Sequence, residues 1–355
     1  MLDGDQMYNL KTIEENCLLL HPRIDSNKLR NSTVLITGAN GLIGSFLADY
    51  LCFLNERYDY QINIHLTSFS SSEKADRIRH LLKKEKVRYF PWDASREIDV
   101  SLLPKKMDYI FFCSGYGQPA KFTKDIVKTS FINTVGVNSL LSYLETTDKK
   151  SGFLFISTSE VYGDPGEDNI PTKESYDGSF CLLNSRASYV LSKKLGEVIC
   201  NSYADRIKIK IARVGLMYGP GTLLNDNRVL QEFIFKAAKS KIIKLMDEGD
   251  SLRNYLYLVD GIEMMLNLIL NSKTNETTYN IGGDTEPITI FELAKKIGSA
   301  FQCEVVRGET NSFHAGLGAP RNVYMDMGKY RSEFSTNNQI LLDSGIQSVI
   351  NWYNF

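Results

Sequence analysis

The chain has no apolar run long enough to cross a bilayer; its hydrophobic residues come in short stretches interrupted by charge or glycine. Its polar, acidic start, Met1-Leu2-Asp3-Gly4-Asp5, does not resemble a secretory leader. A charge excess of either sign is also lacking. The 355 residues carry a formal net charge of −1, which gives no electrostatic case for nucleic acid. Local basic runs such as Lys83-Lys84-Glu85-Lys86 read as a solvated helix face. Cysteine is sparse and scattered (Cys17, Cys52, Cys113, Cys181, Cys200, Cys303), without metal-ligand spacing, so reduced thiols and no metal site are expected. There is no internal repeat and no low-complexity tract. What remains is a soluble, cytoplasmic globular chain of one large or two small units, 43% hydrophobic.

What is present begins at residue 33. The run Thr33-Val34-Leu35-Ile36 is β-branched and apolar, and ends in Thr37-Gly38-Ala39-Asn40-Gly41-Leu42-Ile43-Gly44. A helical pattern follows through Phe46, Leu47, Tyr50 and Leu51. Strand, glycine turn and helix form the setting of a dinucleotide site. Gly38 permits the tight turn, Gly41 a close approach of backbone to a pyrophosphate, and Gly44 tight packing of helix on strand. The helix N-terminus supplies amide donors for the phosphates.

Further apolar runs alternate with helical stretches. They predict strands at Ile62–Leu66, Val87–Phe90, Tyr109–Cys113, Gly152–Ile156 and Lys208–Ala212. The expected fold is α/β, a Rossmann-type doubly wound parallel sheet. Residues 1–30 read as an extension, an amphipathic helix packed on the domain. Residues 31–212 read as the dinucleotide-binding domain and 213–355 mainly as a smaller substrate-binding portion, with segments near 255–270 returning to the sheet.

A second motif is split in two: Ser157-Thr158-Ser159-Glu160-Val161-Tyr162-Gly163, then Tyr189-Val190-Leu191-Ser192-Lys193. Tyr189 and Lys193 are four apart and share a helix face. An ammonium beside a phenol favours phenolate, so Tyr189 is expected to have a lowered pKa and act as a general base, with Thr158 as hydroxyl partner.

Glycine turn and split motif together resemble the extended short-chain dehydrogenase/reductase family, in its nucleotide-sugar epimerase/dehydratase/decarboxylase branch. The Gly38, Gly41, Gly44 spacing is the form that family uses. Asp93 closes an apolar segment as the family's adenine-contacting Asp does. Phe131-Ile132-Asn133-Thr134-Val135-Gly136 resembles its Asn-x-x-Gly helix. Further matches run through Arg213–Gly221, Asn254–Asp260, Tyr279–Gly282 and the C-terminus, so the resemblance covers nearly the whole chain.

The resemblance implies a cofactor site built from Gly38, Asn40, Gly41, Leu42, Ile43, Gly44, Thr67, Ser68, Asp93, Ala94, Ser114, Gly115, Asn133, Tyr189 and Lys193. It implies catalysis by Thr158, Ser159, Glu160, Tyr189 and Lys193 on a nucleotide sugar, through a 4-keto sugar. Gly117, Arg186 and Arg253 are the expected substrate contacts, and a homodimer through a helix bundle containing the Tyr189 helix is expected. The second strand ends in Leu66-Thr67-Ser68-Phe69-Ser70, without the acid that binds the ribose of NAD. Ser68, Ser70, Lys74 or Arg77 could then meet a 2′-phosphate. No arginine sits at the turn itself, however, and NAD is the expected cofactor with NADP as the alternative.

Ser159-Glu160 bears on the fate of the keto sugar. A dTDP-glucose-type 4,6-dehydratase has Asp-Glu there, and this chain lacks that Asp. Thr158–Pro165 and Arg186-Ala187-Ser188-Tyr189 are similar to UDP-glucuronate decarboxylases, although GDP-mannose 4,6-dehydratases share Thr-Ser-Glu. Leu216 replaces an Asn common in the decarboxylase segment. Decarboxylation or epimerisation is the leading expectation. Dehydration is the alternative, and a non-catalytic cofactor-binding sensor stands as a different class.

Overall fold

Apolar strands buried on both faces need helices on both sides, and the chain supplies them. The computed structural model describes residues 8–147, 150–180, 182–183, 186–223, 226–308, 321–335 and 339–355. Six strands, β1 Thr33–Thr37, β2 Asn63–Ser68, β3 Val87–Pro91, β4 Tyr109–Phe112, β5 Gly152–Thr158 and β6 Lys208–Val214, join a seventh, Thr278–Ile281. All are parallel, in the order Thr278–Ile281, β6, β5, β4, β1, β2, β3. Alternation along β1 sends Val34 and Ile36 to one core and Leu35 to the other. The order reverses between β1 and β4, the crevice where open α/β sheets bind ligands.

Each predicted strand is present. The second, fifth and sixth run two residues further, which places Thr67 and Ser68 inside β2 and Thr158 at the end of β5. The helices of the first half are α1 Leu10–Leu20, α2 Leu42–Tyr58, α3 Pro119–Phe122, α4 Ile126–Phe131, α5 Val137–Thr147 and α6 Ala187–Ser202. α1 buries Ile13, Cys17 and Leu20 against α2 and later helices.

Beyond β6 come α7 Val229–Ser240, α8 Leu258–Leu266 and α9 Ile290–Phe301. A π-helical turn prolongs α8 over Asn267–Asn271 and lies against β5, where a methyl group on Gly152 would stand 3.0 Å from Ile269. Thr278–Ile281 pairs with β6, so the chain returns to the main sheet after visiting the smaller portion. Of the cysteines, Cys17, Cys52, Cys113, Cys200 and Cys303 are free thiols; Cys181 lies outside the described residues. Among the described residues no helix is long and apolar enough to cross a membrane.

Candidate active site

Gly38 has φ +62°, the left-handed region, and a methyl group there would stand 2.5 Å from the Cys113 carbonyl oxygen. One on Gly44 would stand 2.6 Å from the Gly38 carbonyl oxygen, so helix and turn touch backbone to backbone. α2 starts after Gly41 with no side chain capping it, which leaves its first amides to the crevice. Below the turn, Ala39 N–H donates to the Thr67 carbonyl at 3.0 Å.

The turn forms one wall of a cleft of about 490 Å³. Of the residues singled out from the sequence, Gly38, Asn40, Gly41, Leu42, Ile43, Gly44, Ser68, Asp93, Ala94, Ser114, Gly115, Gly117, Thr158, Tyr189 and Lys193 line it. Five cationic side chains stand in its wall (Arg77, Lys121, Lys128, Lys193, Arg228) against two carboxylates. Both carboxylates are neutralised: Asp93 by Lys128 at 2.9 Å, Asp226 by Arg228 at 2.8 Å. Such a field suits phosphate-rich ligands.

At the far end Tyr189 is buried, its ring stacked flat on Phe122 at 4.2 Å between centroids and 4° between planes. Thr158, at the end of β5, lines the same cleft, its Oγ1 accepting from the Glu160 N–H at 3.2 Å. Burial is the first cause that raises the Tyr189 pKa above its ordinary value, and the Glu160 charge raises it further. The neighbouring Thr158 hydroxyl, Arg186 and Arg228 oppose them. This reverses the expected direction. The reason is geometric: Lys193 Nζ turns to donate to the Ile156 carbonyl at 2.7 Å, and the cations that lower the phenol are arginines. Burial also lowers Lys193 itself, to about 8.

Asn133 lies in a π-helical turn, Ile132–Gly136, with its amide nitrogen donating to Ser192 Oγ at 2.9 Å. Its Oδ1 is buried and has no partner among the described residues. A methyl group on Gly115 would lie 3.4 Å from Lys193 Nζ and 3.6 Å from that oxygen. These groups converge on a space that glycine leaves open. Orphaned acceptor, ammonium and glycine turn together fit a nicotinamide dinucleotide.

Other predicted residues stand off the cleft. Thr67 is fully buried and contributes through its carbonyl. Glu160 and Arg186 form a two-bonded ion pair, at 2.6 and 3.1 Å, with the Arg186 guanidinium 5.4 Å from the centre of the Phe122 ring. Ser159 faces a separate small cavity with Gly215, Asn254 and Gly282. Arg253 donates to the carbonyls of Leu252 and Arg321 at 2.8 and 2.5 Å, away from Tyr189.

Several lining residues had no local signal. Lys128 lies over the Phe69 ring at 3.6 Å, and Asp226 and Arg228 arrive from beyond β6. Arg77, one of the side chains the sequence offers to a 2′-phosphate, packs against the glycine turn. Its backbone N–H donates to Asn40 Oδ1 at 3.0 Å and its Nη1 to the Asn40 carbonyl at 2.8 Å.

A parallel sheet with a glycine turn at its switch point, and Thr158, Tyr189 and Lys193 across the crevice, is the architecture of a dinucleotide-binding protein. Residues 34–282 match the NAD dependent epimerase/dehydratase family, and the chain belongs to it. It is 27% identical over 271 residues to UDP-glucuronic acid decarboxylase 1 of Danio rerio, covering 75% of this chain and 60% of that protein. With UDP-glucuronic acid decarboxylase 6 of Arabidopsis thaliana it shares 28% over 277 residues, 78% of this chain and 76% of the relative. The fold is similar to UDP-glucuronic acid 4-epimerase from Bacillus cereus, solved with UDP-glucuronic acid and NAD (TM-score 0.72, 21% identity, 91% and 99% of the two chains). It is similar also to dTDP-glucose 4,6-dehydratase from Bacillus anthracis (TM-score 0.72, 17% identity, 91% and 96%).

Proposed function

We propose that the chain is an NAD-dependent enzyme that oxidises C4 of a nucleotide sugar and, from the 4-keto sugar, decarboxylates a UDP-hexuronate. The observation that carries this reading is that Thr158, Tyr189 and Lys193 line one cleft together with the glycine turn. Gly38, Gly41 and Gly44 would hold the dinucleotide's pyrophosphate, and Lys193 and Asn133 its nicotinamide ribose. When bound, the nicotinamide supplies the hydride acceptor. In its phenolate form Tyr189 takes the proton of the sugar 4-hydroxyl, and Thr158 Oγ1 orients that oxygen. Phe122 excludes water from the ring face of the base.

A 4-keto group makes a C6 carboxylate a β-keto acid, which loses carbon dioxide readily. Ser159, in place of the Asp that serves a 4,6-dehydratase as acid, favours that outcome over loss of water. The curated decarboxylase relatives support the same branch. Re-delivery of hydride to the keto sugar's other face would make the chain an epimerase.

Incubation with NAD and a panel of UDP-, dTDP-, GDP- and CDP-sugars, read by mass spectrometry, separates the readings. Loss of one carbon dioxide from UDP-glucuronate is expected. Loss of water would make the chain a dehydratase, and an isomer of unchanged mass an epimerase. No turnover of any sugar would favour the non-catalytic sensor. A homodimer is part of the same reading, supported by exposed Val127 and Phe131 on α4 beside Leu195 and Val198 on α6.

A further inference from the structure

Tyr189, Lys193 and Glu197 follow one another at intervals of four along α6 and so share a face. The first two line the cleft; Glu197 does not, and is only 5% exposed. A carboxylate that deep in the protein needs partners. It has two, from different strands. Ser157 Oγ, at the end of β5, donates to Oε1. Arg213, at the end of β6, donates from Nε to Oε1 at 3.1 Å and from Nη2 to Oε2 at 2.7 Å. The other arm of that guanidinium, Nη1, donates to the Tyr162 hydroxyl at 3.1 Å and the Glu174 carbonyl at 3.0 Å.

Two consecutive residues before Thr158 are thereby tied to α6. Lys193 Nζ holds the Ile156 carbonyl at 2.7 Å, and Glu197, one turn on, holds the Ser157 hydroxyl. Between the two tethers lies Gly196. A methyl group there would stand 2.6 Å from the Asn133 carbonyl oxygen and 2.8 Å from the Phe155 ring. Gly196 thus sets how closely the helix presses on the strand, and the tethers on either side set where along the strand it sits. Glu197 also acts on Lys193 through its charge. Burial lowers the Lys193 pKa first; the groups that raise it are Cys113, after β4, then Glu197 and Cys200 on α6. The Phe155 ring, 4.7 Å from Nζ, faces the same ammonium.

We propose that Glu197 is a positioning residue: held by Arg213, it fixes the end of β5 on α6 through Ser157 and so places Thr158 and Lys193 in the cleft. The kinetic arm of the test rests on the proposed oxidation of a sugar; the NAD arm does not. Glu197→Met combined with Arg213→Met replaces a buried ion pair by apolar chains, a change that leaves stability nearly intact. Ser157 then loses its acceptor. With UDP-glucuronate, kcat should fall at least about tenfold while KM stays within about threefold, because small displacements of reacting groups are felt in the chemical step. Ser157→Ala, which leaves the ion pair whole, should repeat that loss. Full kcat in either variant would overturn the proposal and leave Glu197 as a counter-ion for Arg213. Glu197→Gln keeps the shape and removes the charge. Titrated with NAD from pH 7 to pH 10, it should lose affinity at lower pH than the unmodified chain, because Lys193 gives up its proton sooner. Superposed NAD profiles would also overturn the proposal. A chain that binds NAD but turns over no sugar removes the functional reading, and the NAD profiles still decide the role of Glu197.

Discussion

Lys193 carries a charge that its surroundings penalise. Burial lowers its pKa from the ordinary lysine value to about 8, and its Nζ has a carbonyl rather than a carboxylate as bonded partner. Between about pH 8 and the ordinary lysine pKa of about 10.4, the unfolded chain therefore binds more protons at this residue than the folded one. The sign follows: this residue's contribution to stability rises with pH across that window and is flat below it. Lys193→Met has no such term. Urea midpoints measured from pH 7 to pH 10 should show the unmodified chain gaining on the variant as pH rises, and parallel curves would refute the assignment. Tyr189 moves the other way, since burial first and Glu160 second hold its proton on. Tyr189→Phe removes the acceptor of the sugar proton while keeping the ring on Phe122. Reduction of NAD by substrate should become undetectable while the NAD dissociation constant changes less than about threefold, as befits loss of a group that acts on the reacting bond. Retained turnover would remove Tyr189 as the base.

The elements show which parts of the fold could be read ahead of the structure. Strands β1 to β6 and the start of α2 are legible because runs of β-branched residues and a glycine turn are local properties. Tyr189 and Lys193 are legible for the same reason, one helical turn apart. What brings Lys128 onto Phe69, Arg77 onto Asn40 and Phe122 onto Tyr189 is the meeting of segments distant in sequence, which no window of sequence records. Glu160 marks the other limit: its neighbours in sequence place it beside Thr158, whereas in the fold it pairs with Arg186 and does not line the cleft. Gly136 shows a motif whose reason only packing explains. A methyl group there would stand 2.3 Å from the Ala94 carbonyl oxygen, because the π-helical turn holding Asn133 presses on the loop after β3. Backbone meets backbone, so no rotamer relieves the clash. Gly136→Ala should cost about 1–3 kcal/mol of stability, as overpacked interiors do. It should also weaken NAD binding by displacing Asp93 and Ala94. An unchanged denaturation midpoint together with unchanged affinity would contradict that account.

At the scale of the whole molecule, the unassigned surface lies on the back of the catalytic helix. α6 buries Tyr189, Lys193 and Glu197 on its inner face, and presents Leu195 (50% exposed) and Val198 (62%) outward. α4 packs beside it and presents Val127 (65%) and Phe131 (48%). Large apolar side chains exposed on two helices that pack together make a surface of the kind that association covers. A second copy of the same patch is its natural complement, since a two-fold interface pairs a surface with itself. Such a contact would brace α6 from outside and so hold Tyr189 against Phe122. The chain should therefore run as a dimer by light scattering at micromolar concentration. Leu195→Asp combined with Val198→Asp should shift it to the monomer, because like charges would be buried against each other. NAD binding should persist in the monomer, since neither residue lines the cleft, while turnover falls as α6 loses its brace. A monomeric unmodified chain with full activity would show that this face has another use.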